Sequence, residues 1–300
     1  MNNEVLVSVI IPTYKRADGL EKAIQSVLTQ TYKNLQIIIV NDNDDESYIE
    51  KVHFIKNKFH DVRIKYFSDK VNRGGAGARN LGIDIADGDY ITFLDDDDIY
   101  LPNKIEKQIE HLVKENIDVS VCDMFFLKNE KFILNNSCFA NASTLAEFII
   151  RGNCFTPMIL TTAKVLKSVN GFTKISRYQD HVLMLKLLAA GFKVARLPEQ
   201  LFIHNFHDGE RITFSNNSIE AYRLRQQIEQ RYYHILNPCQ KKEYTFKNSL
   251  MDCKIQRYEN NYLSTLKFLY QALRSVSGAN DLISFFKCLV RVTFFGKKNL

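Results

Sequence analysis

A mostly parallel α/β sheet flanked by helices, followed by a helical extension, is the fold predicted by this sequence of 300 residues. Three observations carry that expectation. Apolar, largely β-branched runs alternate with helical apolar spacing four times in the first hundred residues, an order that right-handed crossovers turn into a parallel sheet. Two of those runs, Val5–Ile11 and Leu35–Val40, are apolar almost throughout rather than at every second residue, as in strands covered on both faces. Polar residues also follow three of the runs directly, at Thr13–Arg16, Asn41–Asp42 and Asp95–Asp98, along what becomes one edge of the sheet.

Val5–Ile11 reads as the first strand, ended by Pro12-Thr13-Tyr14-Lys15-Arg16. Leu20, Ala23, Ile24, Val27 and Leu28 then recur at helical spacing, so a helix runs towards Gln30. Leu35–Val40 is a second buried strand, closed by Asn41-Asp42-Asn43-Asp44-Asp45-Glu46; helix Ser47–Asn57 and strand Val62–Phe67 follow. A turn ending in Gly74-Gly75 leads to helix Ala76–Ala86, and Asp87-Gly88-Asp89 turns tightly into strand Tyr90–Leu94. That strand stops at four consecutive carboxylates. Pro102 is placed to open helix Lys104–Lys114.

Beyond it the alternation loosens. Strand Ile117–Leu127, with Lys131–Leu134 pairing nearby, precedes helix Thr144–Ile150, strand Met158–Thr161 and helix Ala163–Val169. Helix Val182–Ala190, capped by Gly191, is followed by strands Lys193–Leu197 and Leu201–His204. From Ser218 the pattern is helical. The expected organisation is one domain over 1–217, with halves 1–101 and 102–217, and a basic helical extension over 218–300.

Bulk properties exclude several classes. At 45% hydrophobic and 25% charged, the chain buries a core and is not broadly disordered. No apolar run is long enough to span a bilayer, and Val5–Ile11 lacks the basic leader and length of a signal peptide. The six cysteines show no CxxC or metal-ligand spacing, which reads as reduced thiols in a cytosolic protein. The net charge of +6 resides in the tail, because residues 241–300 alone carry +7. A globally basic nucleic-acid binder is therefore a poor reading, and no nucleic-acid partner is expected.

Four adjacent aspartates repel one another and have no use in a core. At the carboxyl end of a strand in an α/β sheet they lie where ligands bind, and their hard oxygens suit Mg²⁺ or Mn²⁺ shared with substrate phosphates. The bland alternative is a solvated acidic loop or a helix cap. Gly74-Gly75-Ala76-Gly77 is only superficially a GxGxxG and follows a loop, so a dinucleotide site is set aside.

Taken together, Val7–Arg16, Gln30-Thr31-Tyr32, Ile39-Val40-Asn41-Asp42, Asn72–Asn80 and Phe93–Asp98 resemble glycosyltransferase family 2, the inverting nucleotide-sugar transferases with a GT-A fold. The resemblance spans roughly residues 5–215, and the ordered set is more specific than any one motif. It implies a Rossmann-like sheet in which Pro12, Thr13, Tyr14 and Arg16 line the nucleotide pocket. Asp42 would accept a hydrogen bond from the base, against the competing reading of a helix cap. Gly74 and Gly75 would let backbone approach the nucleotide, and Arg79 would contact it. Asp95-Asp96-Asp97 matches the family's DxD; by resemblance Asp96 faces the ribose and Asp97 binds a divalent metal, Mn²⁺ or Mg²⁺, bridging the phosphates. Asp98 extends the run and competes as a cap.

The same resemblance makes Asp180 the candidate base, although Gln179 stands where relatives carry Glu. The rival role for Asp180 is the N-cap of the helix that follows. His207 and Arg211 would complete the metal shell and contact the diphosphate, with His204 competing for the histidine's role. The implied reaction moves a sugar, from a UDP-sugar ahead of other nucleotide sugars, to a saccharide acceptor such as one linked to polyprenyl diphosphate. Its setting would be surface-polysaccharide assembly in the cytoplasm, at the inner face of the cell membrane. Asp281–Lys298, with Phe285, Phe286, Leu289, Val292 and Phe295 among basic residues, reads either as a segment for an anionic membrane surface or as a helix packed on the domain. Two rivals remain. A sugar-phosphate nucleotidyltransferase would need a Gly-rich basic loop after the first strand, and Pro12-Thr13-Tyr14 is not one. A non-catalytic nucleotide-sugar binder is favoured only by Gln179.

Overall fold

The computed structural model describes residues 5–128, 131–133, 143–205 and 215–294. The chain divides into two compact units, residues 1–208 and 209–300. Within the first, strands β1 (Val7–Thr13), β2 (Leu35–Asn41), β3 (Ile64–Ser68) and β4 (Tyr90–Phe93) alternate with helices α1 (Leu20–Leu28), α2 (Glu46–Asn57) and α3 (Gly74–Ile85). These four strands pair in parallel in the order β3-β2-β1-β4. The chain thus builds outward from β1 on one side and returns to its other side, placing a topological switch between β1 and β4. Ligands bind outside the carboxyl ends of strands at such a point.

Local chemistry explains these elements. Val7, Val9, Ile10 and Ile11 are fully buried. Leu20, Ala23, Ile24 and Val27 give α1 one buried stripe. Helix α3 packs unusually close to β1: a Cβ on Gly82 would lie 2.4 Å from an Ile10 methyl. Asp45 caps α2 by accepting from the Ser47 amide at 2.9 Å.

The second half of the sheet is mixed. After β5 (Ile99–Tyr100) and α4 (Lys104–Glu115) come β6 (Val119–Lys128), β7 (Lys131–Ile133), α5 (Leu145–Arg151), β8 (Ile159–Thr162), α6 (Ala163–Ser168), α7 (Gln179–Ala189) and β9 (Val194–Asn205). Strand β8 inserts antiparallel between β4 and β6, while β6 and β9 run parallel. The two strands expected over 193–204 are one. Cys122 pairs with Leu197 and Asp123 with Gln200, so Pro198 occupies a bulge that needs no ladder donor. The short β5, paired with β9, went unnoticed because two residues carry no periodicity.

Beneath the acidic run lies a buried polar brace. Gln30 donates to the carbonyls of Leu101 at 2.7 Å and Ser26 at 3.0 Å, and accepts from the Ile105 amide at 3.2 Å. The Thr31 hydroxyl donates to Glu106 at 2.6 Å. The Gln30-Thr31-Tyr32 motif is therefore a staple holding the segment after the acidic run. Lys104, fully buried, donates to Gln108 at 2.6 Å and Thr92 at 3.2 Å, with its amine 4.1 Å from the Tyr100 ring centroid.

The second unit holds α8 (Asn216–Gln230), α9 (Pro238–Tyr258), α10 (Tyr262–Arg274) and α11 (Ala279–Phe294). Phe246 and Cys253 of α9 meet Leu269 and Ala272 of α10 and Phe285, Cys288 and Val292 of α11 in its core. Part of the expected apolar tail is thus packed inward; Phe295 lies outside the described residues. No described helix is long and apolar enough to cross a membrane.

Burial lowers the Lys104 pKa from 10.5 to about 8. Below pH 8 both folded and unfolded states carry the proton, and the folded state bears the full cost of burying the charge. As pH rises from 8 to 10.5 that cost is relieved, so stability attributable to this site rises by about 3 kcal/mol at most. Urea unfolding of wild type and Lys104→Met between pH 7 and 10.5 should show this increment in their difference, with wild type gaining on the variant.

Candidate active site

Three loops meet the carboxyl edge of the sheet. After β1, Lys15 adopts a left-handed conformation at φ 54°, and its amide donates to Asn43 at 2.7 Å. Asn43 donates to Asn41 at 2.7 Å, and Asn41 donates to the Tyr66 hydroxyl at 2.8 Å. This amide relay, of which only Asn41 stood out in the sequence, fixes the loop carrying Pro12, Thr13, Tyr14 and Arg16. Thr13 is buried, Pro12 half-buried, and Tyr14 and Arg16 are exposed.

Asp42, directly after β2, is almost fully buried. Its carboxylate accepts the Arg73 amide at 2.8 Å and also engages the Gly74 amide. Burial raises its pKa, and those two amides oppose the rise. Asp42 therefore caps α3 from across the sheet rather than the helix that follows it in sequence, a pairing that periodicity cannot show. Gly74 stands at φ 70°, a backbone region glycine tolerates. A Cβ on Gly75 would lie 3.0 Å from Arg79 and 3.2 Å from Gln179. Both glycines line a cleft of about 440 Å³ with Asn72, Lys174, Ser176 and Gln179.

The four carboxylates separate to four partners. Asp95 pairs with Arg79 at 2.5 Å, and Asp97 pairs with Arg16. Asp96 is buried within hydrogen-bond reach of the Thr13 hydroxyl, whose single proton is shared between it and the Arg16 carbonyl at 2.9 Å. Asp98 is fully buried, 3.0 Å from both His204 Nδ1 and the Asn205 amide. Burial pushes Asp96 up to about 7, with the hydrogen bond from Thr13 opposing and the charges of Asp97 and Asp95 adding. Burial likewise raises Asp98, with His204 opposing. For His204 burial acts downward, but the Asp98 carboxylate outweighs it and the pKa rises. His204 thus serves Asp98. His207 and Arg211 lie outside the described residues. Among the described residues no three metal-ligating side chains cluster.

Gly19 went unremarked in the sequence. A Cβ there would lie 2.4 Å from the Asp96 carbonyl oxygen, so only glycine lets the start of α1 touch the acidic run. Its place just before a helix was the available signal.

The third loop carries Asp180. Helix α7 begins at Gln179, three residues earlier than its apolar spacing suggested, so Asp180 lies in the first turn. The N-cap is Tyr178, at φ 63°. Asp180 accepts the His181 amide at 2.8 Å. Burial raises its carboxyl to about 6, opposed by that amide and by the Arg79 charge. Asn80 clamps the preceding loop, donating to the Phe172 carbonyl at 2.9 Å and accepting the Phe172 amide at 2.7 Å. Arg79 donates to Gln179 Oε1 at 2.8 Å with the same guanidinium that pairs with Asp95. Its Nε is buried without a hydrogen-bond partner. The arrangement brings a carboxylate pair, a guanidinium and a carboxyl titrating near 6 together at one sheet edge.

Gly19→Ala must displace the Asp96 backbone and should cost about 1–3 kcal/mol in urea unfolding. Gly278→Ala, where a Cβ meets nothing within 4 Å, should change stability by no more than about 0.5 kcal/mol.

Comparison with known proteins agrees with this architecture. Residues 8–151 match glycosyl transferase family 2. An Escherichia coli protein named UDP-Glc:alpha-D-GlcNAc-diphosphoundecaprenol beta-1,3-glucosyltransferase WfaP is 31% identical over 203 residues, covering 63% of this chain and 72% of its own. Five other curated relatives are covered over only 15%, 50%, 26%, 57% and 26% of their lengths. Staphylococcus aureus TarS 1-349 in complex with UDP-GlcNAc superposes with TM-score 0.57 at 14% identity, covering 95% of this chain and 80% of that one. The mannosyltransferase PcManGT of Pyrobaculum calidifontis, in complex with GDP-Man and Mn²⁺, gives 0.53 at 15% identity over 95% and 80%. The sheet with its flanking helices is a GT-A fold, and the chain belongs to glycosyl transferase family 2.

Proposed function

We propose that this protein is a metal-dependent inverting glycosyltransferase that moves a sugar from a UDP-sugar to a lipid-linked saccharide in surface-polysaccharide assembly. One observation carries the reading: Arg79 ties Asp95, at the end of β4, to Gln179, the residue beside Asp180. The carboxylates suited to the diphosphate side and the carboxyl suited to the acceptor side thereby flank one guanidinium. A group titrating at about 6 is ionised at neutral pH yet basic enough to take a proton from an attacking hydroxyl. In the proposed step the acceptor oxygen loses its proton to Asp180 and bonds to the anomeric carbon. The bond from that carbon to the diphosphate breaks on the opposite side, and configuration inverts.

The donor assignment is supported by the UDP-GlcNAc named with TarS and the UDP-Glc in the name of WfaP. The latter name also contains diphosphoundecaprenol, which supports a lipid-linked acceptor and a place at the inner face of a membrane. The residues present fit a divalent cation. Asp95 and Asp97 offer hard oxygens at the switch point, and Mg²⁺-type sites commonly use one or two carboxylates together with substrate phosphates. We assign Asp97 as the principal ligand. When bound, the cation would act as a Lewis acid for the leaving diphosphate. Arg16 already balances Asp97, and the Arg79 guanidinium stands beside Asp95. Asp42, Gly74 and Gly75 are assigned to the nucleoside, beside the cleft.

Calorimetric titration of UDP, GDP and dTDP, each with Mn²⁺ and with chelator, tests the donor site. UDP should bind with Mn²⁺, weakly or not at all with chelator, and at least tenfold more weakly to Asp97→Ala; absence of binding by any nucleotide would remove the reading. Asp180→Asn should retain UDP binding while transfer falls by about 10²–10⁴-fold, the range for loss of a general base. Because Asp180 must be ionised, kcat/KM of the wild type should fall about tenfold per pH unit below pH 6. Transfer that survives in Asp180→Asn would give the base role to another group.

A further inference from the structure

Helices α10 and α11 each carry two apolar faces. One packs on α9 through Leu269, Ala272, Phe285 and Val292. The other meets solvent. Leu263, Leu266 and Tyr270 of α10 are 84%, 63% and 62% exposed, and Ile283, Phe286 and Val290 of α11 are 53%, 56% and 46% exposed. Both triplets follow the spacing i, i+3, i+7, which lines residues along one helix face. Contiguous apolar stripes are rarely left to water unless something covers them.

Charge identifies the cover. Lys267, Arg274, Lys287 and Arg291 are exposed around these stripes. Asp281 is the sole carboxylate in residues 262–293, and it accepts from the Ser277 hydroxyl at 2.7 Å. None of the four cations has a carboxylate partner among the described residues. Along α11, Lys287 and Arg291 share an apolar groove of about 500 Å³ with Ile283, Phe286 and Val290. A second copy docking by the same faces would bring like charges together. An anionic bilayer offers what both features require: phosphates for the cations and an acyl boundary for the apolar side chains.

We propose that α10 and α11 form an interfacial docking surface for an anionic lipid bilayer, held by Leu266, Tyr270 and Phe286 and steered by Lys287 and Arg291. The surface deepens the lipid-linked acceptor reading and rests on it for its role, whereas its binding is measured without any transfer step. The full-length protein should float with vesicles containing phosphatidylglycerol, weakly or not with phosphatidylcholine alone, and less well as salt screens the charges. Phe286→Glu with Leu266→Glu should abolish flotation, and Lys287→Glu with Arg291→Glu should weaken it by about tenfold or more. All four side chains are exposed, so circular dichroism and UDP titration should match wild type.

No flotation, or equal flotation with neutral vesicles, would overturn the proposal. So would a concentration-dependent dimer, abolished by Phe286→Glu, in a protein that ignores vesicles. Anionic-vesicle binding by a protein that binds no nucleotide would remove the transferase reading and leave the docking surface intact.

Discussion

The site depends on keeping four consecutive carboxylates apart. Two unit charges about 4 Å apart repel by about 4 kcal/mol at an effective dielectric near 20, so four in sequence cannot share one environment. The chain resolves this by turning sharply after β4 and sending each aspartate to a different element. Asp95 meets Arg79 of α3, Asp96 the Thr13 hydroxyl, Asp97 Arg16 beyond β1, and Asp98 His204 of β9. Each pairing is also a strut. The acidic run therefore joins β1, α3 and β9 at the switch point, and it requires Gly19 beneath it because no other residue leaves room.

Helix α3 organises the remainder. Its start is capped by Asp42, its Arg79 spans Asp95 and Gln179, and its Asn80 grips both backbone groups of Phe172. One rigid element thus positions the cleft, the acidic run and the approach to Asp180 together. Gln at position 179 has an electrostatic consequence. A glutamate there would share the Arg79 charge with Asp95, whereas the amide accepts a hydrogen bond and leaves that charge to act on Asp95 and Asp180. The neutral substitution is therefore compatible with an ionised Asp180 near neutral pH.

The helical unit obeys a different constraint. Packing on α9 consumes one face of α10 and α11, yet their sequences are apolar over a wider arc than that face needs. The expectation for the tail offered two exclusive outcomes, burial against protein or exposure to a membrane. Burial against protein accounts for one face: Phe285 and Val292 point inward, while the neighbouring Phe286 and Val290 remain in solvent.

Much of the fold was legible because its signals are local. Short, β-branched and almost wholly apolar runs such as Val7–Ile11 and Leu35–Val40 read as strands buried on both faces, and the spacing of Leu20, Ala23, Ile24 and Val27 reads as a helix with one buried stripe. The sequence by itself also located the polar edge, since residues that follow parallel strands must emerge together. What it could not determine was who pairs with whom across that edge. That Asp42 caps α3, that Asp98 holds His204 and that Arg79 bridges positions 95 and 179 are contacts between residues 16 to 106 apart. Tertiary packing alone decided them, because a hydrogen bond between distant residues leaves no period in the chain. The same reason hid the single strand β9: its Pro198 falls in a bulge of β9 itself, and only pairing with β6 on both sides of that bulge keeps the strand continuous.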